Sequence, residues 1–181
     1  GVAGQLLAVR RRGRPEAAKG WRGGGVGKIV RRAVSGGVIA NRISLLRDAD
    51  RDGIAESRNV FRDRLDSPFG IALIGDALYI ADTNALQRFH YRAGATSISE
   101  PGEKVVDLPA GTINHHWTKN VSASPDGSHL YVSIGSNSNA AENGIANEAG
   151  RAEVIEVDAA SGHARAFATG LRTPVGMDWQ P

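Results

Sequence analysis

Two adjacent histidines, His115 and His116, stand in the segment TINHHWTKN at residues 112–120. An imidazole changes protonation near neutral pH, so such a histidine suits a general base, and it also serves as a metal ligand. Neighbouring side chains on a strand point to opposite faces, so the two rings are not expected to share a site. The segment has no carboxylate and the chain has no cysteine, so a zinc site lacks further ligands. A general base and a structural histidine remain as the alternatives.

A second candidate is the acidic segment DADRDGIAE, which begins at Asp48. Asp48, Asp50 and Asp52 occupy positions 1, 3 and 5 of a calcium-binding loop. Position 9 is Glu56, which offers one oxygen, but position 12 is Asn59, so the bidentate glutamate is missing. Two interpretations stay open, which are a weak structural calcium site and a solvated acidic turn.

Charge is unevenly distributed along the 181 residues. Residues 1–47 carry 11 lysines or arginines and one acidic residue, whereas residues 48–181 have an acidic excess. Glycines interrupt the basic segment and no aromatic residues alternate with its charges, which favours a solvated arm over a nucleic-acid surface. No apolar stretch is long enough to cross a membrane, and no signal peptide is visible. The length suits one domain, and because the chain starts at Gly we expect a piece of a longer protein.

From residue 41 onward, short apolar runs alternate with turn residues such as GD, SPDGS and AASGH. No helical period separates the runs, which predicts an all-β fold. Residues 1–40 show no clean period and are predicted to form an irregular basic N-terminal arm, leaving 41–181 as the folded unit. The predicted strands are RISLL (42–46), FGIALI (69–74), ALYIAD (77–82), ALQRFHY (85–91), KVVDL (104–108), NVSAS (120–124), HLYVSIG (129–135), AEVIEVD (152–158), ARAFATG (164–170) and VGMDW (175–179).

An internal repeat refines this prediction. A Leu-Tyr pair recurs after 52 residues, at positions 78–79 and 130–131, and SPFGIAL at Ser67 returns as TPVGMDW at Thr173. A period near 50 residues, with about four short strands in each repeat, is typical of propeller blades. Residues 41–181 have room for two to three blades, and a closed ring needs about four or more. The sequence therefore predicts a partial β-propeller.

Four segments carry a family resemblance: ANRISLLRDADRDGIAE, SPFGIALIGDALYIADTNALQRFHY, VVDLPAGTINHHWTKNVSASPDGSHLYVSIGSNSN and ATGLRTPVGMDW. Together they resemble the soluble quinoprotein sugar dehydrogenases, and especially the sorbosone dehydrogenase and soluble glucose dehydrogenase branch, over roughly residues 14–181. The resemblance implies about half of a six-bladed propeller that binds pyrroloquinoline quinone (PQQ) and calcium. It also implies oxidation of a sugar or sugar aldehyde, with hydride transfer to PQQ, an electron acceptor and a periplasmic location.

The resemblance also assigns roles to residues. His116 matches the general base, which leaves His115 for packing within the blade. Arg172 matches an arginine on the quinone oxygens, where a guanidinium fork suits a tricarboxylate that gains negative charge on reduction. The aspartate that partners the base in soluble glucose dehydrogenase is replaced here by the segment containing Ser136, so Glu142 is a further candidate to tune the base. Asp48, Asp50 and Asp52 are not the calcium site beside PQQ, which the family builds from a later blade.

A non-catalytic propeller that binds a carbohydrate or a protein partner remains the alternative, since propellers host many functions. The missing aspartate and Thr173, which stands where the family has asparagine, favour that alternative. The segments HHWTKN and GLRTP favour the enzyme. We expect the 181 residues alone to be inactive, because half of the ring is missing.

Overall fold

The structure, a computed structural model, describes residues 5–10, 41–50 and 52–180, and for the first of these ranges it describes the backbone alone. In the described ranges, the single helical element is a 3₁₀ turn at Ile145–Glu148, and no helix is long and apolar enough to span a membrane. The all-β class predicted from the sequence is confirmed. The strands are β1 (Gln5–Arg10), β2 (Arg42–Arg47), β3 (Ser57–Arg62), β4 (Gly70–Ile74), β5 (Ala77–Ala81), β6 (Ala85–His90), β7 (Glu103–Asp107), β8 (Val121–Ala123), β9 (His129–Ile134), β10 (Glu153–Asp158) and β11 (Ala164–Ala168).

The strands form three antiparallel sheets in which chain neighbours are also sheet neighbours. The first sheet contains β1 to β3, the second β4 to β7 and the third β8 to β11. Tight turns fix the registers: Ile74 pairs with Ala77, so Gly75 and Asp76 alone connect β4 to β5. Gly75 has φ 58°, which a residue without a Cβ adopts without strain. Consecutive four-stranded meanders are the arrangement of neighbouring propeller blades.

The second sheet is buried on both faces. Along β5, Leu78 and Ile80 face the first sheet, whereas Tyr79 and Ala81 face the third. The first cluster packs these two side chains with others of the first two sheets and their loops, Ile43, Leu45, Phe61, Leu65, Phe89 and Ile98. The second cluster is larger and joins the second sheet to the third through Leu86, Leu108, Val121, Leu130, Val132, Ile134, Ile155 and Val157. Apolar burial between sheets therefore holds the stack together.

The first strands of the second and third sheets lie in close contact. Gly70 N donates to Lys119 O at 2.9 Å, and a Cβ on Gly70 would come within 2.3 Å of Val121 N. At the next step of the repeat, Asn120 Nδ2 donates to Val175 O at 2.7 Å. The segment after Thr173 thus lies beside β8, as the start of β4 lies beside the residues that precede β8. This contact agrees with the 106-residue repeat in the sequence.

Three elements differ from the sequence prediction. Residues 5–10, predicted as part of an irregular arm, form β1 and pair along their whole length with β2, while residues 11–40 lie outside the described residues. Strand β3 was not predicted, because SRNVFR has no alternating apolar pattern. It forms a strand by pairing with β2. Residues 175–179 were predicted as a strand but form no ladder with any described strand; they contact β8 only through side-chain bonds such as that from Trp179 Nε1 to Ala123 O at 2.6 Å.

Candidate functional site

His116 lies half-buried in a turn before β8, where its ring contacts Ser136. His116 Nδ1 is 2.9 Å from the backbone oxygen of Ser136 and 2.9 Å from its Oγ. A carbonyl oxygen can only accept, and Ser136 Oγ donates its own proton to Ser138 O at 2.7 Å. Nδ1 therefore carries the hydrogen of the neutral ring. The other ring nitrogen, Nε2, is left with a free lone pair, as a base requires.

The end of β9 is shaped to receive His116. A Cβ on Gly135 would lie 2.4 Å from His116 O and 2.5 Å from His116 Cβ, distances at which no side chain fits. His116 N also donates to Ser136 O at 3.2 Å, which fixes the backbone of the turn. The absence of a side chain at position 135 thus lets the histidine pack directly against the strand end.

His115 does not pack within the blade as predicted from the sequence. Its side chain is about half exposed, and its Nδ1 lies 3.7 Å from Glu142 Oε1. Glu142, considered as a partner for His116, is therefore the neighbour of His115 instead. The backbone N–H groups of Asn139 and Ala140 donate to the Glu142 carboxylate and hold its pKa at about 2. The two histidines lie in a turn, and their rings have different surroundings: the ring of His115 is exposed to solvent, whereas the ring of His116 contacts Ser136.

Arg172 and His116 both contact Ser136 at the end of β9, although the two belong to different repeats. Arg172 O accepts from Ser136 N at 2.9 Å, so Ser136 bonds to both residues. The exposed guanidinium donates from Nη2 to Asn139 Oδ1 at 2.7 Å. Thr173 Oγ1, next in the chain, is buried and has no hydrogen-bond partner within the residues that the structure describes. The structure thus brings the predicted base and the predicted cofactor ligand to one place.

An open groove of about 230 Å³ borders this place, and Asn139 and Arg172 line it. Its floor is the segment after β9, in which Ser136, Asn137 and Ser138 are buried. Side-chain to backbone bonds order the rest of the loop; Asn143 Nδ2, for example, donates to Asn137 O at 2.8 Å. Sequence reasoning missed Asn139 as a site residue, although an asparagine-rich stretch directly after a strand is a signal for such a loop.

Two cationic side chains, Lys119 and Arg151, are buried in the described part of the chain, and Lys119 follows His116 by three residues. Lys119 is 1% exposed, and its Nζ donates to Trp117 O at 3.3 Å. Burial, with a smaller contribution from the nearby Arg151, lowers the pKa of Lys119 to about 8. Arg151 is also buried and donates to Asn114 Oδ1 at 2.6 Å. This interior therefore favours anions over cations.

The acidic loop between β2 and β3 belongs to the first sheet and does not line the groove. Asp48, Asp50, Asp52 and Glu56 each present one oxygen, and these atoms lie within 4.8 Å of one another. Gly53, with φ 91°, allows the turn, and its N–H donates to Asp48 Oδ2 at 2.9 Å. The other oxygen of Asp48 is buried without a partner in the described part of the chain. The three predicted carboxylates thus converge, and Glu56 joins them.

Comparisons with known proteins give a consistent result. The family model described as TrAA12-like matches residues 33–181. No curated protein sequence matches the chain. The holo form of the pyranose dehydrogenase PQQ domain from Coprinopsis cinerea superposes with a TM-score of 0.61 at 18% identity, covering 76% of this chain and 37% of that one. A Trichoderma reesei structure of Carbohydrate-Active Enzymes family AA12 gives a TM-score of 0.53 at 15% identity, covering 86% and 39%. The fold is shared, and the chain spans well under half the length of either structure.

Proposed function

Because this chain belongs to the TrAA12-like family, we propose that it is part of a quinoprotein dehydrogenase that uses PQQ to oxidise a sugar or sugar aldehyde. Support comes from the two similar structures, one titled a PQQ domain of a pyranose dehydrogenase and the other a carbohydrate-active enzyme. The observation that carries the proposal is the cluster of His116, Ser136 and Arg172 at one strand end. Sorbosone-like or glucose-like substrates, a separate electron acceptor and a periplasmic location follow from the sequence resemblance.

The residues near His116 fit an anionic quinone. Arg172 uses one N–H on Asn139, and its other side-chain donors bond to no described residue, which leaves them for carboxylate or quinone oxygens. The buried hydroxyl of Thr173 lacks a partner in the described residues, which leaves it available as a donor. Arg172 would therefore hold PQQ, with Thr173 as a further donor. When bound, PQQ supplies the oxidant that takes the hydride from the sugar carbon.

His116 is proposed as the general base. Its Nε2 accepts the proton of the substrate hydroxyl as the carbon is oxidised. Ser136 holds the ring in the required tautomer through its carbonyl oxygen, which also lies beside the charge that develops on the imidazole. A carbonyl dipole stabilises this charge less than a carboxylate would, so Ser136 replaces only the orienting part of the missing aspartate's role.

The acidic loop is proposed as a structural calcium site. Four converging carboxylate oxygens suit a hard cation that takes six to eight oxygen ligands, with backbone or water oxygens completing the shell. The site would connect β2 to β3 and take no part in the reaction. This calcium is distinct from the one that the family resemblance implies beside PQQ.

The test uses the full-length protein with PQQ, calcium and a panel of aldoses and sugar aldehydes. Reduction of an artificial electron acceptor measures turnover. We expect His116→Ala to lower turnover by about a hundredfold or more, the usual contribution of a general base. His115→Gln, which alters the exposed neighbour, serves as the matched control and should stay within about twofold of the wild type. Sugar binding without acceptor reduction would instead support the non-catalytic binding protein.

A further inference from the structure

Asn139 is the partner through which the loop after β9 reaches Arg172. Its side-chain oxygen, Oδ1, lies 2.7 Å from Arg172 Nη2. Both side chains are exposed, so the bond does not serve to satisfy a buried group. An exposed arginine otherwise samples many rotamers, and one well-placed acceptor removes much of that freedom.

The loop holds Asn139 in place before any ligand arrives. Asn139 N donates to Glu142 Oε1 at 2.8 Å, and Ala140 N donates to Glu142 Oε2 at 2.7 Å. These bonds keep the pKa of Glu142 at about 2, so the carboxylate stays ionised and remains an acceptor throughout the working pH range. Asn143 N donates to Ser138 Oγ at 3.3 Å and closes the same turn. The loop thus fixes the backbone at Asn139, from which the side chain reaches Arg172.

The chemical type of residue 139 matters as much as its position. An amide oxygen accepts a hydrogen bond but carries no charge, so the guanidinium keeps its full positive charge. A carboxylate in the same place would hold Arg172 more tightly but would neutralise it and repel an anion. If Arg172 only stabilised the loop, a carboxylate at position 139 would increase that stability. If Arg172 binds an anionic ligand, the carboxylate would weaken the binding.

We propose that Asn139 is a positioning residue that orients the Arg172 guanidinium toward the carboxylate and quinone oxygens of an anionic cofactor without neutralising its charge. This inference rests on the proposed function. It adds a residue that acts through Arg172 and does not itself take part in the reaction.

The test measures PQQ binding to the full-length protein freed of cofactor, by equilibrium dialysis in buffers of low and moderate salt. We expect Asn139→Ala to raise the Kd for PQQ about three- to tenfold, the range of one hydrogen bond. Asn139→Asp should raise the Kd at least as much, and more at low salt, because charge repulsion is screened by ions. Ala160→Asp, which adds the same charge in an exposed hairpin at the opposite end of the third sheet, should leave the Kd unchanged.

The outcomes separate this inference from the proposed function. If Arg172→Ala weakens PQQ binding while both Asn139 variants bind like the wild type, the role of Asn139 is wrong and the cofactor assignment stands. If Asn139→Asp binds PQQ more tightly than the wild type, the charge argument is wrong. If Arg172→Ala leaves the Kd unchanged, the assignment of Arg172 and the inference both fail. Asn139→Ser, whose hydroxyl is too short to reach Arg172, replaces the alanine variant if that one does not fold.

Discussion

At the scale of single residues, two atoms of Ser136 contact His116 Nδ1, and they contribute differently to the site. The backbone oxygen, which no substitution removes, fixes the hydrogen on His116 Nδ1. The hydroxyl lies equally close but gives its own proton to Ser138. The sequence showed that Ser136 stands in the segment that replaces the family's aspartate, but it could not show that the main chain supplies half of the contact.

We therefore expect Ser136→Ala to lower turnover by about threefold or less in the assay described above, because one of two accepting atoms remains. His116→Ala provides the reference for a complete loss of the base. A loss in Ser136→Ala as large as that in His116→Ala would show that the hydroxyl, and not the carbonyl, sets the tautomer.

Lys119 gives a prediction about pH. Its pKa is about 8 in the folded chain and 10.5 ordinarily, so between these values the unfolded chain binds more protons. Stability should therefore rise with pH across this window, by on the order of 3 kcal/mol in total. Below pH 8 the buried charge lowers the free energy of unfolding by this full amount.

Urea unfolding at pH values from 7.5 to about 9.5 measures the effect. Lys119→Met, which keeps a long side chain without charge, should be more stable than the wild type at pH 7.5 and should show a flatter pH dependence. Equal slopes for the two proteins would show that Lys119 keeps an ordinary pKa.

At the scale of elements, alternating apolar runs between turn residues predicted nine of the strands that the structure contains. An apolar pattern does not predict a strand that forms only because a neighbouring strand pairs with it. The polar segment Ser57–Arg62 becomes β3 because β2 offers it a ladder. Gln5–Arg10 contains the apolar run LLAV and pairs with β2 as β1, although it lies in the segment predicted as an irregular arm. The apolar segment VGMDW has the right pattern and lies beside β8, but it forms no backbone ladder with a described strand. The apolar pattern of a segment indicates which of its residues a sheet would bury. Whether the segment pairs depends on which other strand the fold places beside it.

The loop between β2 and β3 gives a prediction at this scale. If the four carboxylates bind calcium, the ion stabilises the folded state alone, and the midpoint of thermal unfolding should rise by about 2 °C or more at saturating calcium. Asp50→Asn should abolish the rise, because it removes one ligand charge from an exposed side chain that the core does not need. An equal rise in wild type and variant, or none in either, would leave the loop as an acidic turn.

At the scale of the whole molecule, the second sheet is covered on both faces, whereas the described residues cover the outer face of the third sheet only in part. Tyr131 packs edge-on against Phe167 and Trp179, with ring centroids 4.9 and 5.1 Å apart. Phe167 remains 56% exposed and Trp179 41% exposed. The repeat in the sequence predicted stacked sheets correctly, but the closeness of their inner strands, set by Gly70, has no signature in a single sequence.

The contact at Gly70 can be tested by adding one methyl group. The nearest atoms to the added Cβ belong to the backbone of Asn120 and Val121, which cannot move without separating two sheets. We expect Gly70→Ala to reduce the free energy of unfolding by about 1–3 kcal/mol. Gly176→Ala is the matched control, since its Cβ meets nothing within 4 Å. Equal stabilities of the two variants in urea would show that the sheets are not in close contact there.

Gly135 limits which substitutions this turn can accept during evolution. A side chain there would collide with the backbone and Cβ of residue 116, and those atoms are present whichever side chain residue 116 carries. Relatives that keep the turn should therefore keep glycine at 135 even where residue 116 is no longer histidine. Among relatives aligned on this segment, glycine at 135 should report the shape of the turn, whereas histidine at 116 should report the reaction.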